Sequence, residues 1–327
     1  MLYYIIYDKI IFIYLYYIIY INKYKMDNII FDINPLAPLG DEIGIIRLIV
    51  LYLLNNNFIT KNTVIYCVED RSFFYENIFT NVFHYNDFTV ETLKIKCSEQ
   101  FGKEFTVIAS HDLFIHPCDL WGQYGSYCDI LDKNLCITKD NIFNYHKINY
   151  HNSKNHSDEF KKLVMNINYL EVLPKFNNET FIVYHHRYKN DGAWDSKESE
   201  LNAILKKQKK KNHNIVIFSQ SDLDYLNCNQ NVYFTKNLKE YASFIHSNNC
   251  LAVVSVWSGG GQLASYCSNA NTKLIIYFDE CQVQYNDCIN NNLDKWINSE
   301  NAFDFAQFTD VNRIFINKSD LRNHLKG

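Results

Sequence analysis

Short apolar runs recur along the chain, each closed by a polar or glycine-bearing loop. Asn28–Ile33 (NIIFDI) is the first, and its apolar residues fall on both sides of the strand alternation, as in a strand covered on both faces. Ile43–Leu54 (IGIIRLIVLYLL) is apolar all round and long enough for a buried helix. Thr63–Val68 and Phe105–Ala109 read as further strands. Between and after these the periodicity weakens. Tyr145–Glu159 is polar and aperiodic, as a connector is, and the spacing in Phe160–Leu170 predicts a helix.

The second half alternates more cleanly. Phe181–Tyr184, Ile215–Phe218, Val232–Phe234, Leu251–Val256 and Lys273–Phe278 read as strands, the last of them closing the series. Asp195 with Glu198 has the spacing of a capping box, and Asn237 with Glu240 caps a helix running to about Asn248. Strands alternating with helices imply right-handed crossovers and a parallel sheet. The expected fold class is therefore α/β, with two Rossmann-like domains whose parallel sheets face a cleft. A chain of 327 residues suffices for two cores. The boundary is expected near Leu170–Asn178, around Pro174, giving domains 26–172 and 173–327.

Composition narrows the function classes. Hydrophobic residues make up 47% and charged residues 21%, and the formal net charge is -4, which provides no broad attraction for nucleic acid. The basic run Lys206–Lys211 (KKQKKK) suits a solvated helix C-terminus. The 10 cysteines include no CxxC pair, so neither a zinc site nor a redox dithiol is expected. Several lie inside apolar runs, as in a reducing, cytoplasmic setting.

Residues 1–25 are nearly all Tyr and Ile, with Asp8 and Lys9 inside. The longest uncharged run, Ile10–Asn22, falls short of the ~20 residues that span a bilayer, and the order of charge, apolar core and small residues of a signal peptide is absent. A weak membrane anchor, an extra strand or helix, and translated upstream sequence with Met26 as the working start all compete. The last is the expectation, and any membrane association rests on this segment alone.

Candidate chemistry lies in loops at the carboxyl ends of the strands, where open α/β sheets place their ligands. In the Asn34–Gly44 loop, Gly40 and Gly44 permit close approach to a ligand, while Asp41 and Glu42 either cap the helix or act as an acid or base. After Phe181–Tyr184 comes His185-His186-Arg187. Alternation sends His185 and Arg187 to one side, and a guanidinium matches phosphate oxygens. Ser258, Gly259, Gly260, Gly261 and Gln262 form a loop running into a helix, whose first amides favour an anion. Trp257 offers a flat face, either for a base or sugar or for the core. Ser110-His111-Asp112 is a fourth and less specific group, in which His111 beside a carboxylate is able to take a proton.

Together these loops resemble the GT-B class of nucleotide-sugar glycosyltransferases, in its fucosyltransferase-like branch. The glycine loop after the first strand is matched by Leu39-Gly40-Asp41 through Gly44, the H-x-R motif by His185-His186-Arg187, and the small-residue phosphate loop by Ser258–Leu263. The fuller H-x-R-R-x-D form is incomplete, since Tyr188 replaces the second Arg and Asp191 sits further on. The Gly-Asp-Glu loop is also similar to that of polysaccharide pyruvyl transferases.

The resemblance implies transfer of a sugar from a nucleoside-diphosphate sugar to a hydroxyl of a glycan or protein acceptor. It implies no cofactor beyond that co-substrate and no metal, in keeping with the lack of a convincing Asp-x-Asp motif. Residues 26–172 would hold the acceptor and 173–327 the donor. His185, Arg187, Ser258, Gly259, Gly260, Gly261 and Gln262 would bind the donor phosphates. A base would come from Asp41, Glu42, His111 or Asp112, with Gly40 and Gly44 shaping the acceptor loop. A non-catalytic nucleotide-binding protein is the alternative of a different class. A dinucleotide oxidoreductase would need a G-x-G-x-x-G after the first strand, and that motif is missing.

Overall fold

The computed structural model describes residues 28–33, 35, 39–55, 57–109, 166–170, 179–187, 196, 198–211, 214–221, 223, 231–256, 258–269, 271–278, 312–317 and 321. These fall into two compact units. The first takes its residues from Met1–Leu36 and Ile46–Asn166, the second from Ala37–Ile45 and Ile167–Gly327. Residues 37–45, which the sequence groups with the first half, thus belong to the second unit. Residues 1–25 and the connector 145–159 lie outside the described residues.

The first unit is built on β1 (Ile29–Asp32), β2 (Val64–Cys67), β3 (Asn81–His84) and β4 (Thr106–Ala109). They form a parallel sheet in the order β3-β2-β1-β4. β1 and β2 are buried along their whole length, which is why both read as unbroken apolar runs. α1 (Leu39–Asp41) leads through a π-helical stretch, Glu42–Ile46, into α2 (Arg47–Asn55). Arg47 is fully buried, and its guanidinium donates to Phe74 O at 3.2 Å and Asn166 O at 3.4 Å. A charge inside an apolar run therefore ties together distant backbone of the first unit.

The sequence pattern misses two elements here, β3 and α3 (Val90–Phe101). β3 is an edge strand, half-buried throughout, and its NVFH pattern resembles a loop. α3 spreads charge around its circumference, and only Leu93 and Cys97 are buried. Its capping box pairs Thr89 with Thr92 rather than with Glu or Gln, and Gly102 at φ 64 ends it. The small core here gathers Ile30, Val64, Tyr66, Leu93, Cys97 and Phe105.

The second unit contains β5 (Phe181–His185), β6 (Asn214–Phe218), β7 (Val232–Thr235), β8 (Cys250–Val256), β9 (Lys273–Phe278) and β10 (Asn312–Asn317). All are parallel, in the order β10-β9-β8-β5-β6-β7. The series thus does not close at Lys273–Phe278. β10 adds an edge strand whose short apolar centre is bounded by Asn312 and Asn317. Between them run α4 (Glu198–Lys211), α5 (Leu238–His246) and α6 (Gly259–Cys267). α4 packs Leu201 and Ile204 on the face bearing Tyr184, Ile215, Ile217 and Val254. α5 lies on the opposite face, where Tyr241 stacks on Phe218 with ring centroids 4.3 Å apart. A β-bulge between β5 and β8 pushes Leu251 out to 41% exposure.

Two helix expectations change. Residues 166–170 are not helical, because Leu170 N–H bonds to Ser243 Oγ of α5 at 2.8 Å instead of to its own preceding turn. Residues 160–165 lie outside the described residues. α4 begins at Glu198, and Ser196 just before it is held elsewhere, by Arg187 and Tyr277. Asp195 is not among the described residues. At α5 the expected cap forms: Asn237 Oδ1 accepts from Glu240 N–H at 2.9 Å. Among the described residues no helix is long and apolar enough to cross a membrane.

Candidate functional site

The strand order of the second unit defines where a ligand belongs. From β5 the chain steps outward to β6 and β7, then returns to the other side of β5 with β8 and continues to β9 and β10. The switch point lies between β5 and β8, and crevices at such points, outside the carboxyl ends of the strands, hold ligands in open α/β sheets. His185 pairs in register with Ser255, so the residues after β5 and β8 emerge side by side. Those residues are Arg187 and the Ser258–Gln262 turn, two of the loops singled out in the sequence.

Ser258 is the N-cap of α6, with extended backbone, but its side chain makes no cap hydrogen bond. Its hydroxyl donates to Val256 O at 3.3 Å instead. The first turn, Gly259-Gly260-Gly261, thus presents backbone amides that no side chain caps, at the positive end of the helix. Gln262 N–H is the first to close an intrahelical bond, to Ser258 O at 2.9 Å.

The reason for the three glycines lies in their packing. The space a Cβ would need is filled by protein, not left open for a ligand. At Gly259 a Cβ would lie 2.6 Å from Gly40 N. At Gly260 it would lie 2.3 Å from His185 Cε1, and at Gly261 2.7 Å from Val256 O. The glycines let the turn sit down onto its neighbours.

Gly40 belongs to the same arrangement. α1 packs on α6, and a Cβ at Gly40 would meet Gln262 Oε1 at 2.6 Å. Tyr266 of α6 donates its hydroxyl to Ile43 O at 3.2 Å, anchoring the π-helical stretch to the same unit. The turn carrying Asp41 is therefore brought directly against the glycine turn. Glu42 is only 1% exposed, placed for the interior rather than for an open cleft. Gly44 lies within the π-helical stretch. Gln262 Oε1 is buried against Gly40 and receives no hydrogen bond among the described residues.

His185 and Arg187 separate in role. His185 is 6% exposed and sits beneath α6, its Nδ1 2.9 Å from Ser255 Oγ. Arg187 is half-buried, and its backbone is fixed by a reciprocal pair of bonds: its N–H donates to Ser196 Oγ at 3.0 Å, and its carbonyl accepts from Ser196 N–H at 2.6 Å. Ser196 Oγ also contacts Tyr277 Oη at 2.8 Å, which lies 3.2 Å from Tyr184 Oη. Burial pushes the Tyr277 phenol well above its ordinary pKa, so this network stays neutral and anchors Arg187 rigidly. His186 faces the other way, and its N–H donates to Phe218 O at 2.8 Å.

His111, Asp112, Ser110 and Trp257 lie outside the described residues. Among the described residues no group of three or more His, Cys, Asp or Glu is placed to hold a metal ion. Sequence reasoning did not anticipate Ser196, Ser255, Tyr241 or Tyr277, which support the site from below. For Ser255 and Tyr277 the available signal was a hydroxyl residue inside an apolar run.

No family profile matches the sequence, and no curated protein is significantly similar to it. Solved structures are similar in fold. The E. coli ADP-heptose LPS heptosyltransferase II aligns with TM-score 0.51 at 10% identity, over 92% of this chain and 97% of that one. A glycosyl transferase family 9 protein from Veillonella parvula aligns with TM-score 0.48 at 9% identity, over 91% and 88%. The E. coli heptosyltransferase WaaC with ADP aligns with TM-score 0.47 at 10% identity, over 91% and 98%. At such identities the likeness concerns the fold, and the first of the three carries it: the chain has a GT-B-like α/β fold of two Rossmann-like units, each with a parallel sheet.

Proposed function

We propose that the protein is a glycosyltransferase that moves a sugar from a nucleoside-diphosphate sugar to an acceptor hydroxyl. The observation that carries this reading is the uncapped glycine turn of α6 at the switch point, with Arg187 leaving the neighbouring strand. A diphosphate is the ligand chemistry such a pair suits. The amides offer donors along the helix axis, and the guanidinium adds a charged planar fork. The solved structure of WaaC holds ADP, a nucleotide of that class.

As the glycosidic bond breaks, its electron pair goes to the departing phosphate oxygen. The α6 amides and Arg187 oppose that growing charge from fixed positions. The acceptor oxygen forms the new bond to the anomeric carbon, and its proton passes to a carboxylate. Asp41 is our choice for that base, because α1 packs beside the phosphate turn while Glu42 is buried. Of the His-x-Arg motif of the fucosyltransferase-like branch, Arg187 alone serves as a ligand contact in this reading.

A thermal-shift screen against ADP, GDP, UDP and CMP tests the proposal. One nucleoside diphosphate should raise the melting temperature and identify the donor class. No shift with any of them refutes the reading.

A further inference from the structure

We infer that His185 is a positioning residue: its buried imidazole supports the underside of α6 at Gly260 and sets the place of the anion-binding amides, without touching the phosphates. This rests on the donor-site reading above, and it assigns His185 a different task from the ligand contact that its motif implies.

The imidazole edge formed by Nδ1, Cε1 and Nε2 faces Gly260. A Cβ there would lie 2.3 Å from Cε1, 2.6 Å from Nδ1 and 2.8 Å from Nε2. Ring and backbone are thus in direct contact, with no room for another atom. Phe218 and Tyr241 pack together against one side of the ring, with centroids at 5.4 Å and 5.7 Å from it and 4.3 Å from each other. Tyr241 also donates its hydroxyl to Gly260 O at 3.1 Å. Gly260 is therefore held at its Cα by His185 and at its carbonyl by Tyr241.

The hydrogen bonds fix the ring's orientation as well. Ser255 Oγ bridges His185 Nδ1, at 2.9 Å, and Val256 O, at 3.1 Å, tying the ring to the end of β8. Val256 O in turn lies 2.7 Å from where a Cβ of Gly261 would be. One buried set, His185, Ser255 and Tyr241, thus supports two successive residues of the turn. A protein that used His185 as a ligand would need to bring the ring out past Gly260.

The test is a size-exchange cycle with two readouts, melting temperature and nucleotide affinity by calorimetry, using the full chain and ADP, GDP and UDP separately. Gly260→Ala should lower the melting temperature by about 5 °C, because the new methyl overlaps three atoms of the buried His185 ring. His185→Ala leaves a hollow beneath the turn and should weaken nucleotide binding by about tenfold. In the double variant the methyl of Ala fills part of that hollow. Its melting temperature should exceed that of Gly260→Ala, and its affinity should return to within about threefold of wild type. His185→Asn, which keeps a polar partner for Ser255 Oγ, should bind better than His185→Ala.

Additive losses of melting temperature in the double variant would overturn the support role. Recovery of melting temperature without recovery of affinity would also overturn it, by showing that His185 contacts the ligand itself. Wild type that binds no nucleotide would refute the proposed function, and the melting-temperature cycle would then decide the support role alone.

Discussion

Gly259→Ala probes the contact between the base-bearing turn and the phosphate turn. The new Cβ would lie 2.6 Å from Gly40 N, 3.0 Å from Leu39 Cβ and 3.2 Å from Leu39 C. Two of these are backbone atoms, so no rotamer change relieves the overlap. To reach ordinary contact at 3.4 Å, α1 must withdraw by about 0.8 Å (3.4 − 2.6). Overpacking of this kind costs about 1–3 kcal/mol. Alanine gains at most ~1 kcal/mol over glycine in a helix interior, and less in the first turn. Overlap wins, leaving a net loss of about 1–2 kcal/mol and a melting temperature lower by about 3–6 °C. The effect on rate should be larger. A shift of nearly 1 Å in the turn bearing Asp41 should slow transfer by about a hundredfold. Donor hydrolysis and transfer are measured beside thermal melts of the same preparations. Wild-type melting and wild-type rate together would refute the packing of α1 on α6 and the role given to Asp41.

Four further outcomes follow from the same geometry. Arg187→Ala should cost about 3 kcal/mol of transition-state stabilisation, roughly a hundredfold in rate, while Arg187→Lys recovers part of it; equal rates would place the phosphate site elsewhere. Gly102→Ala has nothing within 4 Å of its Cβ but a φ of +64°, so it should cost about 1 kcal/mol in urea melts for backbone reasons alone, and no loss would contradict the left-handed cap. Cys250, whose thiol burial pushes up to about 12, should resist alkylation in the folded protein at pH 8 and react once unfolded, as read by peptide mass mapping; rapid native labelling would refute its burial. Burial, with Glu240 beside it, pushes Tyr233 up to about 12, so its contribution to stability should be intact below about pH 10 and decline as pH rises towards 12. Tyr233→Phe should flatten that part of the alkaline unfolding profile, and an unchanged profile would contradict the assignment.

Much of the fold was legible because parallel strands buried on both faces leave unbroken apolar runs. β1, β2, β5, β6, β8 and β9 all announce themselves in this way. β3 and β10 did not, being edge strands with little apolar length. α3 escaped because its burial is confined to Leu93 and Cys97. At the site, the sequence located the Ser258–Gln262 turn and Arg187 through their places after strands. The neighbours of the glycines were not legible there. Absence of a Cβ is visible in a sequence, but what occupies the space is not, and here His185, Gly40 and Val256 O occupy it. Nor does any local pattern show that residues 37–45 fold with the second unit, since that is decided by Tyr266 and the close approach of Gly40 to Gly259.

The central claim is that a nucleoside diphosphate binds the first-turn amides of α6, and glycine-selective ¹⁵N labelling observes those amides directly. The chain has only 10 glycines, so the spectrum is sparse, and ¹³C-carbonyl serine labelling identifies Gly259 through its bond to Ser258. Titration with ADP, GDP and UDP should move the signals of Gly259, Gly260 and Gly261 with one nucleotide at saturable concentration. Gly102, at the far end of α3 in the other unit, should stay in place. Unmoved signals from the glycine turn with every nucleotide, or movement confined to other glycines, would contradict the account.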